Sequence, residues 1–278
     1  MKILVTTDFS ANSKAGLRFA VSLAKLKKAQ LIFFHSYFLP KPTSWSEATY
    51  LDYANNEKQK LLSRLNKFVE AVYKSVKVSP ANFKCVMVQS IIPESGIMAY
   101  AKTQSVDFIC ISTRGAGRLK KIFGTTAGNL ITKSQVPVIA VPQHYKTKNI
   151  THILYASDLK NYQEELKKVI AFAKPLKASI EVFHLSSPGE QLFDVGAIAA
   201  NLKKQFKYNI KLHLENIDLT QPLVANLQKA IASSKPSVLI MFTEQRRTFF
   251  EKLFLSSASE SIAFLAKVPM LVFNKSAW

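Results

Sequence analysis

The stretch Val106-Asp-Phe-Ile-Cys-Ile-Ser-Thr113-Arg-Gly-Ala-Gly-Arg-Leu-Lys-Lys-Ile-Phe-Gly-Thr-Thr126 runs from an apolar strand through a glycine-bearing loop into a helix. Phe108–Thr113 is apolar on both of its alternating sides, as in a parallel strand covered on both faces. Gly115 and Gly117 let a backbone approach a ligand with no Cβ in the way. Gly124-Thr125-Thr126 then opens a helix whose Ala127, Leu130 and Ile131 fall at helical spacing. The chain has only 8 glycines, so Gly115, Gly117, Gly124 and Gly128 lying so close together set this loop apart. Free N–H groups at a helix start, two hydroxyls, and the nearby Arg114, Arg118, Lys120 and Lys121 suit an anion such as phosphate. A glycine turn that holds no ligand is the other reading of the same residues.

Working outward, the chain is written twice. Ile3-Leu-Val-Thr-Thr-Asp8 matches Ile153-Leu-Tyr-Ala-Ser-Asp158, and the run ending at His35 matches the run ending at His184. Val106–Thr113 matches Pro236–Thr243, and Gln135–Val141 matches Lys267–Phe273. Matches in one order define an internal repeat. The polar stretch Tyr145–Asn149 separates the copies and predicts domains over 1–145 and 146–278. Within the first copy, strands are predicted at Ile3–Thr6, Gln30–His35, Lys84–Val88, Phe108–Thr113 and Val136–Val141. Amphipathic segments such as Ser13–Leu26 and Glu57–Lys74 alternate with them. Alternation of this kind predicts two consecutive doubly wound, Rossmann-like α/β domains with parallel sheets. Such sheets bind ligands beyond the carboxyl ends of their strands, where the strand order reverses. Pro40–Tyr53, with two prolines, Trp45 and Tyr50, reads as an insert: a lid, an interaction loop or an ordinary connection.

Composition narrows the classes. The 278 residues are 48% hydrophobic, enough for packed interiors. No apolar run is long enough to span a bilayer. The opening Met1-Lys-Ile-Leu-Val-Thr-Thr has no signal-peptide core, so the expectation is a cytoplasmic protein without membrane association. Cys85 and Cys110 lie inside apolar runs and read as buried thiols. No Cys/His spacing suits zinc. The formal net charge is +20. It is divided between the copies: residues 1–145 carry 20 basic and 7 acidic side chains, residues 146–278 carry 18 and 11. Such a field attracts any polyanion, a nucleotide included. Specific nucleic-acid recognition is not expected from it.

Thr6-Thr7-Asp8 closes the first strand and Ser112-Thr113-Arg114-Gly115 closes the fourth. If both strands are central, these ends lie side by side on the binding edge. Asp8 there could accept hydrogen bonds from ribose hydroxyls or an exocyclic amine, or could cap the helix that follows. No GxxxxGK[ST] occurs, which excludes a P-loop, and no nucleophile elbow is present. His35 and His184 stand at matched strand ends and read as packing residues.

At these residues the chain resembles the universal stress protein family, in both halves, as a tandem member. The family opens on a short strand ending in an aspartate and a serine, and Thr7-Asp8-Phe-Ser10 is similar. Its nucleotide motif is Gly-x2-Gly-x9-Gly followed by Ser or Thr. Here Ser112 stands at the first glycine, Gly115 at the second, and the loop to Gly124-Thr125 is one residue shorter. The resemblance implies an adenine-nucleotide alpha hydrolase-like fold and ATP, with or without Mg, in the first domain only. It places Thr7 and Asp8 at the adenosine, Ile111 and Ser112 on the adenine side, and Gly115, Gly124, Thr125 and Thr126 around the phosphates, with Gly117 and Arg114 beside them. It also implies pairing through the last strands, between the two domains or between copies in a homodimer. Hydrolysis is expected to be slow or absent, because no acidic Mg-binding pair and no poised base are evident. A nucleotide-independent scaffold working through protein contacts is the alternative.

The second copy departs from the motif. Aligning Phe254 with Phe123 puts Leu255 at Gly124 and Ser256 at Thr125, while Gln245, Arg246 and Arg247 replace the glycine-rich part. The second domain is therefore expected to bind no ATP and to act as a structural partner.

Overall fold

The computed structural model describes residues 1–80, 83–113, 125–186, 195–221, 223–243 and 267–275. Two compact units divide the chain, changing over between Thr147 and Lys148.

The first unit contains β1 (Lys2–Thr6), α1 (Lys14–Lys27), β2 (Gln30–Tyr37), α2 (Glu47–Ser75), β3 (Phe83–Gln89), α3 (Pro93–Thr103), β4 (Phe108–Ser112), α4 (Thr125–Lys133) and β5 (Val138–Val141). Its sheet is parallel, in the order β3-β2-β1-β4-β5. The central strands are buried throughout: Ile3, Leu4, Val5, Phe33, Phe34, Ile109 and Cys110 are all below 1% exposed. Runs of this kind follow from cover on both faces. The α1 and α2 helices pack together over one face, and α3 and α4 pack together. Right-handed crossovers require this split when the chain reverses its direction across the sheet after β3.

The second unit repeats the plan with β6 (His152–Ala156), α5 (Tyr162–Ala173), β7 (Ser179–Ser186), α6 (Val195–Phe206), β8 (Ile210–Asn216), α7 (Leu223–Ser234), β9 (Val238–Thr243) and β10 (Met270–Asn274). Its strand order is β8-β7-β6-β9-β10, all parallel. Both units are thus doubly wound α/β domains of one topology.

The backbone carries the repeat further than the sequence does. Non-glycine residues with positive φ fall in four matched pairs: Phe9 (62°) with Leu159 (59°), Lys28 (49°) with Lys177 (54°), Lys77 (53°) with Lys207 (46°), and Ser105 (48°) with Lys235 (47°). The first pair follows the first strand of each unit. The other three follow helices or their closing turns, where a left-handed residue ends the helix and glycine is the usual choice.

One element differs from expectation. The segment from Glu47 to Tyr53, read as part of an insert, is the start of α2, which runs ten residues further toward the amino terminus than Glu57. Ser46 caps it, its Oγ accepting the Thr49 N–H at 3.1 Å. The buried residues of α2 are Leu65, Val69, Val72 and Tyr73. Its first half lies beyond the core and so carries no apolar stripe. Among the described residues, no helix is long and apolar enough to cross a membrane.

Candidate functional site

In the first unit the strand order reverses between β1 and β4. Register pairs Val5 with Cys110, so Thr6-Thr7-Asp8 and Ser112-Thr113 leave the sheet together at its carboxyl edge. The chain then reaches α4, which opens at the exposed Thr125 and half-buried Thr126 on that edge. Arg114, Gly115, Gly117 and Gly124 lie outside the described residues.

The side chains at this edge divide into those turned inward and those left at the surface. Thr7 is buried. Its Oγ1 lies 2.8 Å from Ser13 Oγ and accepts the Phe9 N–H at 3.0 Å. Its own N–H donates to the Phe34 carbonyl at 3.0 Å. Ser112 is also buried, and its hydroxyl turns toward α1. Ser112 Oγ accepts the Gly16 N–H at 2.9 Å and donates to the Ser13 carbonyl at 3.0 Å. The third amide of α1, an orphan donor in any helix, is thus capped from a strand far away in sequence. The helix's own N-cap, Ser13, makes no side-chain capping bond. A Cβ on Gly16 would stand 3.1 Å from Ser112 N and 3.3 Å from the Ile111 carbonyl carbon. This close approach is what the glycine permits. Ile111 is buried on β4.

Asp8 remains exposed at the edge, its Oδ1 accepting the Ser10 N–H at 3.0 Å. It closes a turn before α1 and is not the cap of that helix. Beside it Phe9 lies 4.4 Å from the His35 ring, and the Arg64 guanidinium stands 4.4 Å from the centre of the Phe9 ring. His35 Nδ1 meets the Thr7 carbonyl at 2.8 Å. Burial holds the His35 pKa below its ordinary value against the opposing pull of that bond and of Asp8. Phe9, Ser13, Gly16 and Arg64 were not singled out in the sequence, because nothing marks a phenylalanine or a helical glycine as part of an edge.

The second unit fills the same edge differently. Lys275, just beyond β10, reaches Asp158 Oδ2 at 2.8 Å and Glu165 Oε1 at 3.1 Å. The Tyr155 hydroxyl donates to Glu165 Oε2 and receives a hydrogen bond from Ser157 Oγ at 2.9 Å. Glu165 is 1% exposed and Tyr155 is fully buried. Burial works against the charge on Asp158, but Lys275 and the Lys160 N–H outweigh it and lower the pKa. Burial likewise opposes the charge on Lys275, and its two carboxylate partners overcome it and raise the pKa. The signal was legible in part. Glu165 stands on the buried face of α5, and Lys275 takes the place that Gln143 holds in the first copy.

A further titratable cluster joins β6, β7, β8 and α7. Glu181 is buried, with His152 Nε2 at 2.9 Å, His213 Nδ1 at 2.7 Å and Ser234 Oγ at 2.7 Å. His213 Nε2 meets Glu215 at 3.0 Å. Among the described residues, no group of His, Cys, Asp and Glu is arranged to hold a metal. Burial raises the Glu181 pKa, and these hydrogen bonds more than reverse the effect. Folded-state values below the ordinary 4.5 for Glu181 and 3.8 for Asp158 mean stability that is present above those values and lost as pH falls through them. The protection of amides in β6, β7 and β10, corrected for the intrinsic slowing of exchange in acid, is accordingly expected to fall as pH drops below about 4.5. Unchanged protection over that range would contradict the assignment.

Two doubly wound domains with a candidate ligand edge at the first strand reversal define the general class, a Rossmann-like α/β protein. Comparison with known proteins gives the family. The model of the universal stress protein family matches residues 1–142. The stress response protein NhaX of Bacillus subtilis (strain 168) is 27% identical over 161 residues, covering 50% of this chain and 96% of NhaX. The structure of a universal stress protein from Archaeoglobus fulgidus DSM 4304 superposes with a TM-score of 0.70 at 17% identity, covering 99% of this chain and 98% of that one. A putative universal stress protein from Pseudomonas aeruginosa UCBPP-PA14 gives 0.57 at 14% identity, covering 98% and 92%. The chain belongs to the universal stress protein family.

Proposed function

We propose that the first unit binds ATP at the edge formed by β1 and β4, and that the nucleotide serves as a regulatory ligand in the cytoplasm. The observation that carries this reading is the meeting of Thr7-Asp8, Ser112-Thr113 and the start of α4 at the strand reversal. Asp8 supplies an exposed acceptor for ribose hydroxyls. The α4 start, with Thr125 and Thr126, supplies N–H groups and hydroxyls for phosphate. Arg114, Gly115, Gly117 and Gly124 would complete that half, with any Mg arriving on the phosphates. Ile111 and Ser112 would border the adenine through their backbone, since the Ser112 hydroxyl is engaged with α1. The second unit takes no nucleotide in this reading: Lys275 already neutralises the aspartate matched to Asp8.

Thermal unfolding with added ATP tests this. At about 100 times the dissociation constant, ATP is expected to stabilise the protein by about 2.7 kcal/mol. Calorimetry is expected to find one nucleotide per chain. Two per chain would sink the assignment to the first unit alone. No shift at millimolar ATP would favour a nucleotide-independent scaffold. The orientation of Ser112 is what recommends that second reading, because a side chain and its hydrogen bonds stand where the family motif has a glycine.

A further inference from the structure

Topology gathers much of the positive charge that the sequence distributes along the chain. The α1 and α2 helices form one layer of the first unit. Residues 14–28 hold five basic side chains and no acidic one. Residues 47–77, which are α2 and its closing turn, hold six basic side chains, all from Lys58 onward, and four acidic ones, of which only Glu70 lies beyond Glu57. On the opposite layer, α3 and α4 together carry Lys102, Lys133 and Glu94. Lys25, Lys28, Lys58, Lys67 and Lys74 are exposed. Among the described residues, Lys60 is the one basic side chain of this set held in an ion pair, with Glu57. Two further cations are fixed in place: Lys14 over Phe68 at 5.3 Å and Arg64 over Phe9 at 4.4 Å. The second unit repeats the pattern, with Lys174, Lys177, Lys204 and Lys207 exposed at its α5 and α6 layer.

We infer that the outer surface of the α1/α2 layer docks the phosphate backbone of duplex nucleic acid without reading its sequence. The exposed Lys60, Arg64, Lys67 and Lys74 fall at helical spacing on the side of α2 away from its buried residues, and such a row matches a regular row of phosphates. From Lys60 to Lys74 the α2 axis rises about 21 Å, the length of roughly six phosphates at 3.4 Å spacing along a strand. The surface lacks what other polyanions ask for. Within residues 14–28 and 58–77, Leu26 is the one exposed large hydrophobic side chain among those described. A bilayer surface would call for apolar anchors, and a single strand for aromatic stacking platforms. Neither is present. Lysine, a flexible point charge, gives affinity without base discrimination.

The test is fluorescence anisotropy of the full chain with labelled duplexes of about 20 base pairs in two unrelated sequences. Neutralising about six phosphates gives a log–log salt slope near −5, or about a thousandfold weaker binding between about 50 and 200 mM salt. Both duplexes should bind alike. The variant Lys25→Gln/Lys28→Gln/Lys67→Gln/Lys74→Gln should flatten the slope by about 3.6, while Lys102→Gln/Lys133→Gln on the other layer should leave it unchanged. Wild-type binding by the quadruple variant would overturn the proposal. So would stronger binding to phosphatidylserine vesicles or to polyglutamate than to duplex at equal charge concentration.

Discussion

Replacing Lys275 by Met is expected to cost the second unit about 3–5 kcal/mol, the scale set by removing one partner of a buried ion pair. Lys275 is 12% exposed and lies between Asp158, at 42%, and Glu165, at 1%. Asp158 can turn to water when the ammonium is gone. Glu165 cannot, and among the described residues it keeps the Tyr155 hydroxyl as its one side-chain hydrogen-bond donor. Methionine fills much of the lysine stem's volume, so the loss reports the charge and not a cavity. The double variant Lys275→Met/Glu165→Gln removes both charges and should recover most of the stability, since neutral replacement of a buried pair is often close to neutral in cost. Hydrogen exchange localises the effect: protection should fall in β6, β9 and β10 and persist in β1 and β4. A single variant that loses under about 1 kcal/mol would show a pair of the weak, solvated kind. The expected sensitivity also bears on function. A unit whose carboxylates already hold an internal cation at this edge has a stability requirement that competes with any ligand placed there.

The fold was legible because the central strands are covered on both faces and must be apolar from end to end. Ile3–Thr6, Gln30–His35 and Phe108–Thr113 announced themselves that way and lie in β1, β2 and β4. The start of α2 was hidden for the converse reason: residues 47 to 56 bury nothing fully, so no helical period is written there. The candidate edge was legible where chemistry is local. Asp8 after a strand and a glycine loop before Thr125 are patterns within a short window. What escaped depends on pairs distant in sequence. Ser112 looked like a lining residue or a replaced glycine, and is a cap for an amide 96 positions earlier. Lys275 carries no signal in its own stretch of sequence, and the fold sets it on Asp158, 117 positions away. No spacing rule reaches across such distances, because the contact is made by strand order and not by the chain between.

Gly16→Ala is expected to destabilise the first unit by about 1–3 kcal/mol, the cost of overpacking a well-filled interior, although alanine is the better helix former by about 1 kcal/mol. The added methyl meets Ser112 Oγ at 3.0 Å, Ser112 N at 3.1 Å and the Ile111 carbonyl carbon at 3.3 Å. Two of these three obstacles are backbone atoms of a central strand, so α1 must lift from β4. That movement stretches the Ser112 hydroxyl away from the Gly16 N–H and the Ser13 carbonyl. It also carries the Asp8–Ser13 turn with it, so the nucleotide affinity proposed for this edge should fall together with stability. Ser112→Gly, which restores the glycine of the family motif, separates the contributions. Alone it uncaps the Gly16 amide, at a cost of about 1–3 kcal/mol for a buried unsatisfied donor. In combination with Gly16→Ala it relieves the hydroxyl contact and leaves both backbone contacts in place, so the pair should recover only part of the packing loss. Full recovery in the double variant, read by chemical denaturation, would show that the hydroxyl was the whole obstacle. A stability gain in Gly16→Ala alone would show that helix propensity outweighs the close approach of α1 to β4.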